Sequence, residues 1–117
     1  MLSRLPSYYF ESRSTNPKDR VAKLGWLSAH QNHQELLYNG NPNLILIGDS
    51  IVKNIKFYDS VWKKFFGKFG VVNCGIGGDS TQNVLWRSRN LVFPNSIKYV
   101  FVHSGTNNLE KICLLKL

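Results

Sequence analysis

The sequence is short of acid, short of cysteine and without any long apolar run. Seven Asp and Glu stand against fifteen Lys and Arg, a formal charge of +8 over 117 residues. Only two cysteines occur, Cys74 and Cys113, 39 positions apart and with no CxxC pair. Neither a disulfide scaffold nor a four-ligand zinc site is expected from them. No stretch reaches 18 apolar residues, so no transmembrane segment is expected. The opening stretch MLSRLPSYYFESRST lacks an apolar core followed by a small-residue cleavage site. A secretory signal is therefore not expected, and the reducing cytoplasm is the expected compartment. There is no internal repeat and no low-complexity tract. What is present is globular in balance: 43% apolar residues argue against a disordered tail or a collagen-like fibre. The length suits one domain with a modest core.

The basic excess has two readings. Lys53, Lys56, Lys63, Lys64 and Lys68 crowd one stretch, as they would in a patch for nucleic acid or an anionic membrane. Yet Val52, Ile55, Tyr58, Trp62 and Phe65 recur among them at helical spacing, so the lysines also fit the solvated face of an amphipathic helix. The second reading is preferred because no nucleic-acid motif accompanies the charge. No nucleic-acid partner is expected, and a basic nucleic-acid-binding protein is kept only as an alternative.

Along the chain, residues 1–17 are polar and irregular and read as a loose arm. Residues 18–117 read as one partial domain. A helix is predicted over about Asp19 to Tyr38, with Val21, Leu24 and Leu27 on its apolar face, closed by Asn39 to Asn43. Leu44-Ile45-Leu46-Ile47-Gly48 reads as a strand buried on both faces. The lysine-rich helix follows at 51–66. Val71 and Val72 form a second short strand, ending at Asn73. A helix is predicted over 80–91, with Asp79 as N-cap and Gln82 as its capping-box partner. Tyr99-Val100-Phe101-Val102 reads as a third buried strand. Alternation of helix and strand requires parallel pairing with crossover connections, with 44–47 in the middle of the sheet.

In such sheets, ligands bind at the carboxyl ends of the strands. All three strands end in polar or glycine-rich segments: Gly48-Asp49-Ser50, Asn73 to Asp79, and Gly105-Thr106-Asn107. Ser50 opens a helix, where the backbone N–H is unpaired and the helix dipole is positive. It is either a plain N-cap or a nucleophile whose own amide binds an anion. Gly78 is either a turn glycine or a close-approach N–H donor to an oxyanion. Asn107 is either a turn residue or a third donor. Taken together, the three make a nucleophile with a three-donor oxyanion hole. Gly75-Ile76-Gly77-Gly78 is a poor match to a dinucleotide loop, since it is GxGG and follows the second strand.

These blocks carry a resemblance. Ile47-Gly48-Asp49-Ser50 resembles the GDS block of the SGNH, or GDSL, hydrolases. Asn73 to Asp79 resembles their glycine block, and Gly105-Thr106-Asn107-Asn108 their GxN block. Asp79 to Arg87, DSTQNVLWR, and Trp26 to His30, WLSAH, are similar to the intracellular platelet-activating-factor acetylhydrolase catalytic subunits. The resemblance covers roughly 25–109. It implies an α/β fold, a flavodoxin-like three-layer α/β/α sandwich. It also implies serine ester hydrolysis of a small, short-acyl or lipid-like ester, without metal or cofactor. Ser50 would be the nucleophile. The Ser50 and Gly78 N–H groups and the Asn107 amide would form the oxyanion hole. A homodimer or heterodimer is also implied.

The family's DxxH block, source of the catalytic His and Asp, has no counterpart in Glu110 to Leu117, EKICLLKL. The chain is accordingly read as an N-terminal part of such an enzyme, weak or inactive alone, with a C-terminally truncated sheet. A non-catalytic interaction module is the alternative. His103 lies two positions before Gly105, and the sequence places no aspartate to orient it. His30 and His33 read as surface or satisfied side chains.

Overall fold

Leu44–Gly48 (β1), Val71–Gly75 (β2) and Tyr99–His103 (β3) form one parallel sheet in the order β2-β1-β3. The register sets Ile45 opposite both Val72 and Val100, and Gly48 opposite both Gly75 and His103. The expectation of parallel strands with 44–47 in the middle holds. The computed structural model describes residues 16–66 and 70–109. Most of the expected N-terminal arm, the lysine at position 68 and the terminal segment from Glu110 lie outside the described residues.

Helices cover both faces of the sheet. On one face Ile45, Ile47, Val72 and Cys74 pack with Leu37 of α1 (Trp26–Gly40), Val84 of α4 (Thr81–Arg89) and Leu91. On the other, Leu44 and Leu46 pack with Val52 of α2 (Ser50–Asn54), and Ile55, Trp62 and Phe66 join them. Alternate residues of β1 thus point into two separate cores, as the two-residue strand period dictates. The result is a three-layer α/β/α arrangement, a truncated flavodoxin-like sheet.

Four sequence expectations are corrected. First, α1 begins at Trp26 rather than Asp19, after Gly25 in a left-handed conformation (φ 81). Its buried face is Trp26, His30, His33 and Leu37, while Leu24 is 97% exposed. The ring stack of Trp26, His30 and Trp86 anchors the helix, and the leucines do not. Second, the lysine-rich helix is three pieces: α2, a 3-10 turn at Ile55–Phe57, and α3 (Asp59–Phe65). Tyr58, placed on the apolar face by its spacing, sits exposed at the break. Third, Ser80 is the N-cap of α4, with Asn83 closing the capping box. Asp79 is taken up by another task, described below. Fourth, β3 is exposed over Tyr99–Val102 rather than buried.

Candidate active site

The first loop leaves β1 at Gly48, where no side chain fits. A Cβ there would overlap the His103 carbonyl oxygen and lie 2.6 Å from Val52 Cγ2. This close packing lets the chain turn at once into α2. Asp49, fully buried, caps α2 by accepting from the Ile51 amide at 2.9 Å. Ser50 is the first residue of that helix, so its N–H has no partner within it.

The second loop docks on the first. The Ile76 amide donates to the Gly48 carbonyl at 3.0 Å. Gly77 lies against the serine, since a Cβ built on it would be 3.9 Å from Ser50 Cβ. Gly78 follows at φ 82, a left-handed backbone that glycine adopts without strain.

Asp79 is the hub that holds this edge together. Its Oδ1 accepts from Trp26 Nε1 at 2.8 Å and from Arg20 Nη1 at 2.9 Å, and its Oδ2 accepts from Arg87 Nε at 2.8 Å. Arg87, fully buried, also donates from Nη1 to the Cys74 carbonyl at 2.6 Å and from Nη2 to the Gly48 carbonyl at 2.9 Å. One guanidinium therefore ties the carboxyl ends of β1 and β2 to α4. Burial pulls the Arg87 guanidinium below its usual pKa, while the Asp79 charge and hydrogen bond push back. Sequence reasoning missed Arg87. The available signal was its spacing, eight residues after Asp79, which brings it back to the same side of the intervening helix.

The third loop is tied to the second. Gly105 has φ 122 and starts a helical turn at 106–109, whose Asn108 and Leu109 amides donate back to its carbonyl. Asn107 Nδ2 donates to the Asp79 carbonyl at 2.8 Å. An amide NH2 has two protons, so one donor of Asn107 is used there. Asn108 is a further residue that sequence reasoning left unassigned. Its Oδ1 accepts from the Thr81 amide at 2.8 Å, and its Nδ2 donates to Thr81 Oγ1 and Gln82 Oε1. Asn108 thereby helps to fix the start of α4. A chain of contacts runs from Ser50 through Gly77 and Asp79 to Asn107, so the three loops singled out by sequence meet at one edge.

The histidines depart from expectation. His103 Nδ1 lies 3.8 Å from Asp49 Oδ1, so an aspartate does face it. The distance is too long for a hydrogen bond. His103 Nδ1 and Asp49 Oδ2 are both buried atoms without a hydrogen-bond partner. His30 and His33 are buried rather than at the surface, and the Nδ1 of each has no partner. Burial lowers both, His33 to about 4, with the nearby Arg87 charge acting in the same direction. Cys74, buried under the same helices, has its thiol pushed up to about 12 by desolvation. Among the described residues, no helix is long and apolar enough to cross a membrane.

A parallel sheet in this order, with helices on both faces, is the arrangement of a flavodoxin-like fold, the fold of a class of hydrolases that the chain resembles. The chain is a homologue of the platelet-activating factor acetylhydrolase Ib alpha subunits. It is 36% identical over 86 residues to the alpha2 subunit of Homo sapiens, a match covering 73% of this chain and 37% of that protein. It is 36% identical over 98 residues to the alpha1 subunit of Rattus norvegicus, covering 83% of this chain and 42% of that one. It therefore spans about two-fifths of the length of these relatives. A solved Streptococcus pneumonia structure, provisionally described as a platelet activating factor, superposes with a TM-score of 0.61 at 25% identity. That match covers 77% of this chain and 41% of the other. No protein-family model matches the chain.

Proposed function

We propose that these residues supply the nucleophile and oxyanion side of a serine ester hydrolase that removes short acyl groups, acetyl foremost. Ser50 Oγ attacks the ester carbonyl. The Ser50 and Gly78 amides and the free donor of Asn107 receive the developing oxyanion. Water then releases the acyl group from the serine. The observation that carries the reading is Ser50 at a helix start, packed against the Gly77-Gly78 turn. The names of the relatives support acetyl as the acyl group.

A serine hydroxyl is a poor nucleophile until a base takes its proton. The family's DxxH base has no counterpart in these 117 residues, and His103 with Asp49 is the titratable pair at the same edge. We therefore expect p-nitrophenyl acetate hydrolysis far below the median enzyme rate of about 10 s⁻¹. Ser50→Ala should remove that turnover, and Asn107→Ala should lower it by roughly 10²–10³-fold, as loss of an oxyanion donor does elsewhere. Equal rates in the unaltered chain and Ser50→Ala would sink the assignment. The exposed β3 favours a second reading, a non-catalytic interaction module that keeps the fold, and complete lack of Ser50-dependent turnover would select it.

A further inference from the structure

An apolar groove of about 390 Å³ runs between α4 and β3, with Leu85, Phe93, Val100 and Val102 in its walls. Among the described residues, none that lines it is charged. Val102 is 58% exposed, whereas Ile47, its partner across the ladder, is 1% exposed. Apolar surface gathered in a groove gains by being covered.

The chain itself leaves the fold at one end of this groove. Ser104, directly after β3, lines it, and so does Thr81 at the start of α4. Asn108 Oδ1 accepts from the Thr81 amide at 2.8 Å, and its Nδ2 donates to Thr81 Oγ1 at 2.9 Å. The helical turn at 106–109 is therefore docked on the groove's rim, and Leu109, the last described residue, is exposed beside that contact. Ser104 Oγ is a buried atom there, with no hydrogen-bond partner among the described residues. Residues 110–117, EKICLLKL, come next, and Ile112, Cys113, Leu114, Leu115 and Leu117 among them are apolar. Eight residues reach about 12 Å as a helix and at most about 29 Å extended. From Thr81 to Leu85 the groove covers four helical residues, about 6 Å, so the segment is long enough in either form.

We propose that Ile112 to Leu115 seat in the groove between α4 and β3, over Leu85 and Val102, so that the chain covers this face with its own C-terminal residues. Val100, two residues back along β3, stays open. A backbone group of the segment supplies the partner that Ser104 Oγ lacks. The occupant is this segment rather than a second copy for two reasons. A segment tethered at Leu109 is held at millimolar effective concentration. Two copies, each with a formal charge of +8, repel one another. The inference does not rest on the ester-hydrolase reading.

Cys113 is the reporter, because Cys74 is buried and its thiol is pushed up to about 12. In the full 117-residue chain, Leu85→Cys and Ser88→Cys each place a further thiol in the groove. Ser60→Cys places one on α3, at the opposite face of the sheet. Disulfide closure under dilute copper phenanthroline is followed by non-reducing electrophoresis and mass spectrometry. Intrachain closure from one or both groove positions should run at least tenfold faster than from Ser60→Cys. Adding Ile112→Asp with Leu115→Asp should slow it at least tenfold. Ser88→Cys, a change of one atom, carries the test if Leu85→Cys melts lower than the unaltered chain. Equal rates at the two faces overturn the proposal, as does closure that ignores the Asp pair or the lack of any intrachain disulfide. Disulfides between chains, forming faster as protein concentration rises, would give the groove to a second copy and overturn it equally.

Discussion

β1 and β3 are both five-residue strands, both rich in branched or aromatic side chains, and they pair with each other in register. Yet every residue of β1 is buried, while Tyr99 to Val102 are exposed, Tyr99 at 62%. The difference lies in the neighbours. β1 has a strand on each side and a helical layer on each face, with two cores built from its alternate residues. Among the described residues β3 pairs with β1 alone and places no residue in either core, whereas the other edge strand, β2, contributes Val72 and Cys74 to one of them. Burial follows the helical cover on a strand's faces rather than strand composition. The two strands also differ at their carboxyl ends, where Arg87 holds the Gly48 and Cys74 carbonyls but reaches no carbonyl of β3.

The largest expected effect comes from cutting that tie. Arg87→Met removes one of the two cations on a buried carboxylate, takes a donor from the Cys74 carbonyl and leaves the Gly48 carbonyl to the Ile76 amide. Breaking a buried ion pair by removing one member costs about 3–5 kcal/mol. Urea denaturation of Arg87→Met should show a loss of that size, and a loss under 1 kcal/mol would mean that the β1 and β2 ends hold without it.

The register offers the sharpest comparison. Ile45 and Val100 are direct partners across β1 and β3. Ile45→Ala should cost about 2–5 kcal/mol, as for other buried aliphatic truncations. Val100→Ala should stay within about 0.5 kcal/mol, as for surface changes. Similar losses at the two positions would erase the distinction drawn between the strands.

A further contrast appears with acid. His33 is buried on the inner face of α1, and its pKa is lowered from 6.5 to about 4. Between those values the unfolded chain binds a proton that the folded chain refuses, so stability falls as pH drops from 6.5 and the loss is complete near 4. Its size is on the order of 3 kcal/mol, at 1.36 kcal/mol per pH unit. His30, lowered by the same burial, acts with the same sign. Denaturation midpoints taken from pH 7.5 to 4 should fall, and His33→Leu should flatten the curve. Parallel curves would remove His33 from the account.

Much of this was legible in the sequence because it is local. Four aliphatic residues closed by glycine specify a strand, and a polar segment after each strand specifies a loop at the carboxyl edge. Ser50, the Gly77-Gly78 turn and Asn107 could be singled out on those grounds. What could not be read depends on distant partners. Asp79 has the chemistry of an N-cap, but Trp26, Arg20 and Arg87 claim its oxygens, so Ser80 caps α4 instead. Leu24 and Leu27 have helical spacing, yet Trp86 meets Trp26 and His30, and that contact selects the buried face of α1. Asp49 faces His103 because the parallel register aligns Gly48 with His103, which no local pattern encodes.

The placement of β1 at the centre of the sheet also bears on how the chain is made. Among the described strands it is the first to be synthesised, while its partners follow 27 positions later at Val71 and 55 positions later at Tyr99. At 5–20 residues per second, translation leaves Leu44 to Ile47 without one neighbour for roughly 1 to 5 s and without the other for about 3 to 11 s. For that interval the most apolar segment of the fold has both edges open, so the nascent chain is most exposed to misassociation before β2 emerges. A holdase acting on the ribosome-bound chain would have its chief substrate in these four residues, which the finished protein hides completely.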